Sequence, residues 1–208
     1  MRLMRSLGLV AALAVSMATS CGGGDGSCGG AACGGEIAAG RYRISSFCSS
    51  ITGTVQSPLC PMGTIAVVSS ALNVSGTITF NADKTYQSVT TLGGTIVEAF
   101  SGECLAKVAG SCAQLNQTFG GRGGSCTGTT VCTCTLRLAP QDGMAMGTYS
   151  TSGTTLTITP TGKNGSPGEY CATPTSLTIL SSPAMNGALM PGIASMQMGT
   201  STMTLTRE

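Results

Sequence analysis

The sequence predicts an all-β fold, an antiparallel meander of about eight to nine strands that closes into a disulfide-bonded β-barrel. Three observations lead to this prediction. Short segments alternate apolar and polar residues with the period of two that a half-buried strand shows. Only 9% of the 208 residues are charged and Trp is absent. Eleven cysteines suit a disulfide-bonded secreted domain. A β-sandwich built from the same strands is the competing architecture.

The predicted strands follow one another along the chain, joined by recognisable turns. In Val74–Phe80, the residues Val74, Ile78 and Phe80 share one face, and serine and threonine take the other. The turn Asn81–Lys84 leads into a second Thr-rich strand, and Ser152-Gly153 has the form of a two-residue hairpin loop. The nine predicted strands are Arg41–Phe47, Val74–Phe80, Thr85–Leu92, Thr95–Ser101, Val131–Leu138, Gly147–Thr151, Thr154–Thr159, Ser176–Leu180 and Thr202–Thr206.

One face of these strands supplies the predicted core. Aromatic residues make up only 4% of the chain, so the core depends on Val, Ile, Leu and Met and gains from disulfides that restrict the unfolded chain. Closure into a barrel also removes the exposed edges that Thr-rich strands would otherwise present. The predicted inward-facing residues are Tyr42, Ile44, Ile78, Phe80, Phe100, Leu136, Leu138, Tyr149, Leu156, Ile158, Leu177, Ile179, Met203 and Leu205.

Residues 1–20 have the organisation of a secretory signal peptide. Arg2 and Arg5 form a positively charged start, and Leu7–Val15 is an apolar run of nine residues, too short to span a bilayer. Small residues then lead into Cys21, the position at which bacterial lipoproteins are acylated, so the segment resembles a lipoprotein signal. Ordinary cleavage after Ser20 is the alternative, and it would leave Cys21 as a free thiol.

Cysteine parity favours lipidation of Cys21. With Cys21 acylated, ten cysteines remain, and an even number can pair completely in an oxidising compartment. The expected location is therefore the cell envelope, with the protein held on a membrane through its N-terminal lipid. Gly22 replaces the Asp that retains many lipoproteins at the inner membrane, so the outer membrane is expected. The ten disulfide candidates are Cys28, Cys33, Cys48, Cys60, Cys104, Cys112, Cys126, Cys132, Cys134 and Cys171.

Residues 21–36 form a predicted lipid-anchored, glycine-rich tether that precedes a single domain at 37–208. Eight of the fourteen residues from Gly22 to Gly35 are glycine, and such chains behave as flexible coils. Cys28 and Cys33 are expected either to pair with each other or to pin the tether to the domain. A metal site is the alternative, disfavoured because the chain contains no histidine.

Cys132 and Cys134 are predicted to bond to other cysteines and not to each other. Residues two apart on a strand face the same side, with their Cα atoms near the upper distance limit for a disulfide. Spacing alone leaves the connectivity open, although pairing of nearest neighbours would give Cys48–Cys60 and Cys104–Cys112. A thiolate metal site at Cys132 and Cys134 is the functional alternative.

The composition argues against catalysis and against nucleic-acid binding. No histidine is present to act as general base, metal ligand or triad member, and no cofactor is expected. Glu98 and Glu103 lie five apart, so on one regular strand they would face opposite sides. The Gly-rich loop 120–124 lacks the Lys-Ser/Thr of a phosphate-binding loop. A net charge of +2 provides no basic face for nucleic acid.

The methionines suggest a further hypothesis. Met144 and Met146 are two apart, as are Met196 and Met198, so on strands each pair would present two thioethers on one side. Soft thioethers suit Cu(I), whereas methionine also fills gaps in cores with few aromatic residues. Because methionine is common as such a filler, we expect no metal to bind at these methionines.

Three segments resemble the lipocalin-like domains of secreted bacterial lipoproteins. Gly40-Arg41-Tyr42 is similar to their Gly-x-aromatic opening. Gly76–Tyr86, with the sequence GTITFNADKTY, is similar to their second hairpin, and Gly147–Pro160, with the sequence GTYSTSGTTLTITP, to a later one. In the second hairpin Lys84 stands where the family often has glycine.

The resemblance implies a membrane-anchored lipoprotein with a small lipocalin-like barrel that binds a small apolar ligand. An eight-stranded barrel is just wide enough either to be filled by side chains or to hold one small molecule. The alternative is therefore a structural or partner-binding cell-envelope module with a filled barrel and no ligand. The candidate cavity residues are Tyr42, Phe80, Phe100, Tyr149 and Ile158.

Overall fold

Alternating apolar and polar residues form antiparallel strands across most of the chain. The computed structural model describes residues 30–49, 53–55, 65–121, 123–190 and 200–208, which contain one sheet of ten strands and three short helices. The strands are β1 (Gly40–Ser49), β2 (Gly53–Val55), β3 (Ile65–Phe80), β4 (Thr85–Phe100), β5 (Ser125–Thr127), β6 (Cys132–Ser152), β7 (Thr155–Pro160), β8 (Ser166–Ala172), β9 (Ser176–Ser181) and β10 (Ser201–Arg207). The helices are α1 (Gly102–Val108), α2 (Cys112–Gly120) and α3 (Pro183–Leu189).

Eight of the strands form a closed ring. Its order is β1-β10-β9-β8-β7-β6-β4-β3, and β3 pairs back onto β1. The closing pair is antiparallel and runs from Gly40 opposite Phe80 to Arg43 opposite Thr77. Most neighbours in the ring are also neighbours along the chain, as a meander requires. The predicted all-β fold, with an antiparallel sheet that closes on itself, is confirmed.

The ring is uneven because three of its strands are much longer than the others. β3, β4 and β6 have 16, 16 and 21 residues, whereas the other strands of the ring have between 6 and 10. Their far halves, residues 65–72, 94–100 and 132–138, extend beyond the ring as a three-stranded sheet that we call the arm. β2 pairs with one edge of the arm and β5 with the other, and α2 packs beside β5.

The predicted break at Gly93-Gly94 is wrong, because the two strands predicted on either side of it are one strand, β4. The chain forms a β-bulge after Leu92 instead of a turn. Hydrogen bonding to β3 on one side and β6 on the other keeps the backbone extended through the glycines. The two strands predicted on either side of Pro140 likewise belong to the single strand β6.

The sequence pattern did not reveal β8 or the three helices. β8 contains Pro167 and Gly168, residue types that are depleted in strands. The helices have only seven to nine residues, too few to show a clear period of 3.6. Two of them begin at a serine cap: the Ser111 hydroxyl accepts from the first turn of α2, and the Ser182 hydroxyl from that of α3.

Apolar side chains form two separate cores. The ring core fills the inside of the closed sheet and continues onto the arm at Val67 and Ile96, and the arm core lies between the arm and helices α1 and α2. Twelve of the fourteen predicted inward-facing residues are buried, while Leu136 and Leu138 are half-buried on the arm. The arm core consists of Ile65, Phe100, Cys104, Leu105, Cys112, Leu115, Cys126, Cys132 and Cys134.

The predicted turn Asn81–Lys84 joins β3 to β4. Lys84, with φ of 65°, is the one non-glycine residue with positive φ in the described part of the chain. The Asp83 carboxylate accepts hydrogen bonds from the backbone N–H and the hydroxyl of Thr85, at 3.0 and 2.6 Å. These hydrogen bonds hold the pKa of Asp83 below its usual value. Lys84 thus adopts the left-handed conformation that glycine, frequent at this position of the lipocalin-like pattern, adopts freely.

The hairpin between β6 and β7 is shifted by one residue from its predicted position. Ser152 pairs with Thr155, so the two-residue loop is Gly153-Thr154 and not Ser152-Gly153. Gly153 has φ of 56°, and a positive φ at the first loop residue is what a type II′ turn requires.

Replacing Gly76 by alanine is expected to lower the free energy of unfolding by at least about 2 kcal/mol. Gly76 has φ of 130°, and a Cβ there would overlap the carbonyl oxygen of Val89 on the neighbouring strand. Urea unfolding followed by circular dichroism measures the loss. Gly121→Ala is the control, since its φ is −63° and an added Cβ meets nothing within 4 Å. That variant should stay within about 1 kcal/mol of the parent, and equal stability of both variants would contradict this packing of β3 on β4.

Candidate functional site

Four of the five predicted cavity residues meet in the ring core. The Phe80 ring lies edge-on to Tyr42, with 5.7 Å between the ring centroids, and edge-on to Tyr149 at 5.0 Å. Ile158 is fully buried in the same cluster. Phe100 is not part of it, because it lies in the arm core and faces Phe119 of α2. The prediction that all five residues line one interior is therefore wrong for Phe100.

All four tyrosines of the chain use their hydroxyls within the fold. Each hydroxyl donates a hydrogen bond to a backbone carbonyl, at 2.6 to 3.2 Å. Tyrosine hydroxyls are already protonated donors at neutral pH. Burial raises the pKa of Tyr86 further, to about 12, and also raises the pKa of Tyr42 and Tyr149. The accepting carbonyls belong to Ala38 for Tyr42, Ala188 for Tyr86, Asn81 for Tyr149 and Gly35 for Tyr170.

Helix α3 packs into the ring core and is bound to β4 by hydrogen bonds at its C-terminal end. The Tyr86 hydroxyl donates to the Ala188 carbonyl at 3.2 Å, and the Ser88 hydroxyl donates to the Leu189 carbonyl at 2.9 Å. Met185 and Leu189 of the helix are fully buried in the core. These contacts satisfy two carbonyls at the helix end, a position where carbonyls lack partners within the helix.

A surface pocket of about 220 Å³ lies between α3 and the turn that joins β7 to β8. Its volume is below the roughly 300–1,000 Å³ of typical small-molecule sites. None of the five predicted cavity residues lines it. The lining residues are Pro160, Lys163, Asn164, Ser166, Ala184, Gly187 and Ala188.

Three disulfides are described: Cys33–Cys171, Cys112–Cys132 and Cys126–Cys134. Cys48 and Cys104 are disulfide-bonded as well. Pairing of Cys28 with Cys33 is therefore wrong, and the alternative, that Cys33 pins the tether to the domain, is confirmed. Nearest-neighbour pairing of Cys104 with Cys112 is also wrong, because α2 carries Cys112 over the arm and onto Cys132. The predicted pair Cys48–Cys60 stays untested because Cys60, like Cys21 and Cys28, lies outside the described residues.

Cys132 and Cys134 each bond to a different partner, as predicted, and their two disulfides lie side by side. The Sγ atoms of Cys132 and Cys134 are 3.9 Å apart, and both residues are fully buried in the arm core. The sulfurs of Cys126, Cys132 and Cys134 all lie within 4.8 Å of one another. Metal binding needs thiolates, whereas here Cys132 is bonded to Cys112 and Cys126 to Cys134, which favours the disulfide interpretation over a metal site.

The described end of the tether is bound to β8. The N–H groups of Cys33 and Gly34 both donate to the Tyr170 carbonyl, at 3.1 and 3.0 Å. The Tyr170 hydroxyl donates to the Gly35 carbonyl at 2.6 Å. Together with the Cys33–Cys171 disulfide, these contacts fix the chain to β8 before residue 37, where the domain was predicted to begin.

The outer face of the ring carries an exposed apolar patch formed by Val89, Met144 and Met146. Their exposed fractions are 47%, 58% and 53%. Val89 lies directly opposite Met144, and Gln87 opposite Met146, in the pairing of β4 with β6. Met144 and Met146 thus share one side of a strand, as predicted, but the buried methionines Met185, Met190 and Met203 belong to the ring core. Met196 and Met198 lie outside the described residues.

Glu98 is the half-buried carboxylate of the arm. Its neighbours across the sheet are Val67 and Cys134, neither of which is charged. Burial raises the pKa of the Glu98 carboxyl for this reason. The sequence comparison placed Glu98 and Glu103 on one strand. In the structure Glu103 instead lies exposed in the first turn of α1. The two carboxylates therefore belong to different elements.

Replacing Glu98 by glutamine is expected to flatten the dependence of stability on pH. The carboxyl binds its proton more tightly in the folded than in the unfolded protein, so stability falls as pH rises from the unfolded pKa, about 4.3, through the raised folded pKa. Glu98→Gln removes this loss and should unfold at higher urea concentration than the parent at pH 7, with a smaller difference at pH 4. Glu169→Gln, at an exposed position of β8, is the control. A parent protein more stable at pH 7 than Glu98→Gln would contradict the burial of the charge.

Comparison with known proteins gives no match to a family model, to a curated protein or to a solved structure. In the part of the chain that the structure describes, no helix has the length and apolar character needed to cross a membrane.

Proposed function

We propose that the chain is a secreted, lipid-anchored cell-envelope module with a lipocalin-like fold and a filled interior, which acts through contacts on its surface and not by catalysis. The observation that carries this proposal is how the ring core is occupied. Its aromatic rings pack on one another, and every tyrosine hydroxyl already has a backbone acceptor. A ligand could engage these hydroxyls only by breaking an existing hydrogen bond. Asn186 Nδ2 on α3 and Ser181 Oγ at the end of β9 are buried without a hydrogen-bond partner among the described residues, but as polar atoms they do not favour an apolar ligand.

The small apolar ligand implied by the family resemblance is the competing proposal. A carrier needs an apolar cavity of roughly 300 Å³ or more. In the described residues the predicted cavity positions are occupied by packed side chains, and the pocket beside α3 is smaller and partly polar. The surface module is therefore the better supported of the two.

The cysteines support secretion into an oxidising compartment. All eight cysteines in the described residues are disulfide-bonded, and such bonds persist mainly outside the cytosol. The basic and apolar leader and the position of Cys21 support a lipid anchor in the envelope, with the outer membrane as its expected site. Cys33, Gly34 and Gly35 are bound to β8, so the proposed tether of residues 21–36 is shorter at its C-terminal end than the sequence suggested.

Native mass spectrometry of the full-length protein, purified in mild detergent from its own membrane fraction, tests the filled interior. The expected result is a mass that the polypeptide and its N-terminal modification account for completely, with no released apolar compound in an organic extract. A compound recovered at about one mole per mole of protein would overturn the filled interior and support the carrier.

Mass spectrometry of the mature N-terminus tests the anchor separately. The expected result is a first residue Cys21 carrying acyl chains, found in the membrane fraction. Cys21→Ser is the matched variant, and it should leave the membrane fraction while keeping the same folded domain. An unmodified Cys21 thiol in the parent protein would refute the anchor without bearing on the interior of the ring.

A further inference from the structure

We propose that Met144 and Met146 form a paired, reversible oxidation site for two-electron oxidants such as hydrogen peroxide or hypohalous acid. Both side chains lie on the outer face of β6 with more than half of their surface exposed, at 58% and 53%. The other described methionines, Met185, Met190 and Met203, are at most 1% exposed. The fold therefore separates its described methionines into an accessible pair and a protected set.

The neighbouring strand places an amide donor between the two thioethers. Gln87 lies directly opposite Met146 in the sheet, and its Nε2 atom is 3.9 Å from the Sδ atom of Met144. A thioether sulfur is a weak acceptor, so this contact contributes little while the sulfur is reduced. A sulfoxide oxygen is a strong acceptor, so the Gln87 amide is already positioned to donate to it after oxidation.

The oxidation is a simple transfer of one oxygen atom. The thioether sulfur donates an electron pair to one peroxide oxygen, the O–O bond breaks, an S–O bond forms, and water is released after proton transfer. The sulfur loses two electrons and the peroxide gains them. A methionine sulfoxide reductase, using a dithiol as reductant, removes the oxygen again as water and returns the thioether while the dithiol becomes a disulfide.

The position of the pair makes the modification compatible with the fold. A sulfoxide in a packed core is disruptive because it converts an apolar side chain into a polar one. Met144 and Met146 project from the outer face and belong to neither core, so a polar oxygen there can be hydrated. Oxidation would instead convert most of the apolar patch of Val89, Met144 and Met146 into a polar surface.

The test exposes the full-length protein, with its disulfides intact and a chelator present, to increasing hydrogen peroxide, followed by peptide mass spectrometry. Met144 and Met146 should become sulfoxides more than about tenfold faster than Met185, Met190 and Met203, which need local opening to react. The melting temperature should not change. Treatment with both epimer-specific methionine sulfoxide reductases and a dithiol should then restore the original masses.

The matched variant is Met144→Leu/Met146→Leu, which keeps side-chain volume at an exposed site. It should lose the two fast oxidation events and leave the slow ones unchanged. Similar rates for the exposed and the buried methionines in the parent protein would overturn the proposal, as would a melting temperature that falls in step with oxidation of Met144 and Met146. A failure of the surface-module proposal would appear in the ligand extraction experiment and would leave these oxidation rates unchanged.

Discussion

Replacing Cys33 and Cys171 together by alanine is expected to lower the free energy of unfolding by about 5 kcal/mol. The disulfide joins residues separated by 138 positions, and in the chain-entropy description the cost of unfolding a cross-linked chain grows with the length of the closed loop. Removing the bond also frees the stretch that pairs with β8 through Cys33 and Gly34. Urea unfolding under non-reducing conditions measures the change.

The two arm disulfides provide graded controls for this prediction. Cys112 and Cys132 are 20 positions apart, and Cys126 and Cys134 are 8 apart. Their double alanine variants should lose about 3.3 and about 2.5 kcal/mol respectively by the same relation. A smaller loss for the Cys33 and Cys171 pair than for either arm pair would show that this bond holds only a surface segment and not the domain.

Phe80→Ala is expected to lower the free energy of unfolding by about 3–5 kcal/mol. Phe80 is fully buried and packs edge-on against both Tyr42 and Tyr149, so its removal leaves a void that the neighbouring rings can fill only in part. Val89→Ala, at an exposed position on the outer face, is the control and should stay within about 0.5 kcal/mol. Chemical unfolding of the two variants beside the parent protein gives the comparison.

The same variant gives a second readout on the interior of the ring. An apolar void of this kind can bind a small apolar molecule such as benzene. Added benzene should raise the melting temperature of Phe80→Ala and leave that of the parent unchanged. A comparable rise in the parent protein would mean that its interior already contains space for a ligand, and would favour the carrier over the filled module.

Local alternation of residue types was sufficient to predict the strands of the ring and their buried face. Tyr42, Ile78, Leu156 and Leu205 all lie where a period of two places them, because each strand buries one face against the same interior. The turn at Lys84 was also predictable from local sequence, because short polar residues such as Asp83 form hydrogen bonds with the nearby backbone. Features set by a few adjacent residues could therefore be found without the structure.

Features set by distant residues could not be predicted in this way. The glycines at 93 and 94 resemble a turn until β3 and β6 are placed on either side of them. Phe100 ends an alternating apolar strand just as Phe80 does, so the sequence does not distinguish the two. In the structure Phe100 lies at the far end of the arm, packed against α2 and not inside the ring. The disulfide partners were equally inaccessible, because pairing depends on where α2 crosses the arm and on where the tether meets β8.

The Cys33–Cys171 bond also determines how the molecule responds to mechanical load. A pull between the two ends of the oxidised chain passes from Cys33 directly to Cys171, so the backbone between them carries no tension. In the sequence given, 37 residues follow Cys171, and they span about 130 Å when fully extended. Most of the ring and the whole arm are thereby shielded from force at the N-terminus, and only β9, α3 and β10 lie in the path of the load. Reduction of this one bond would transfer the load to those parts of the backbone between Cys33 and Cys171 that the remaining disulfides do not bypass.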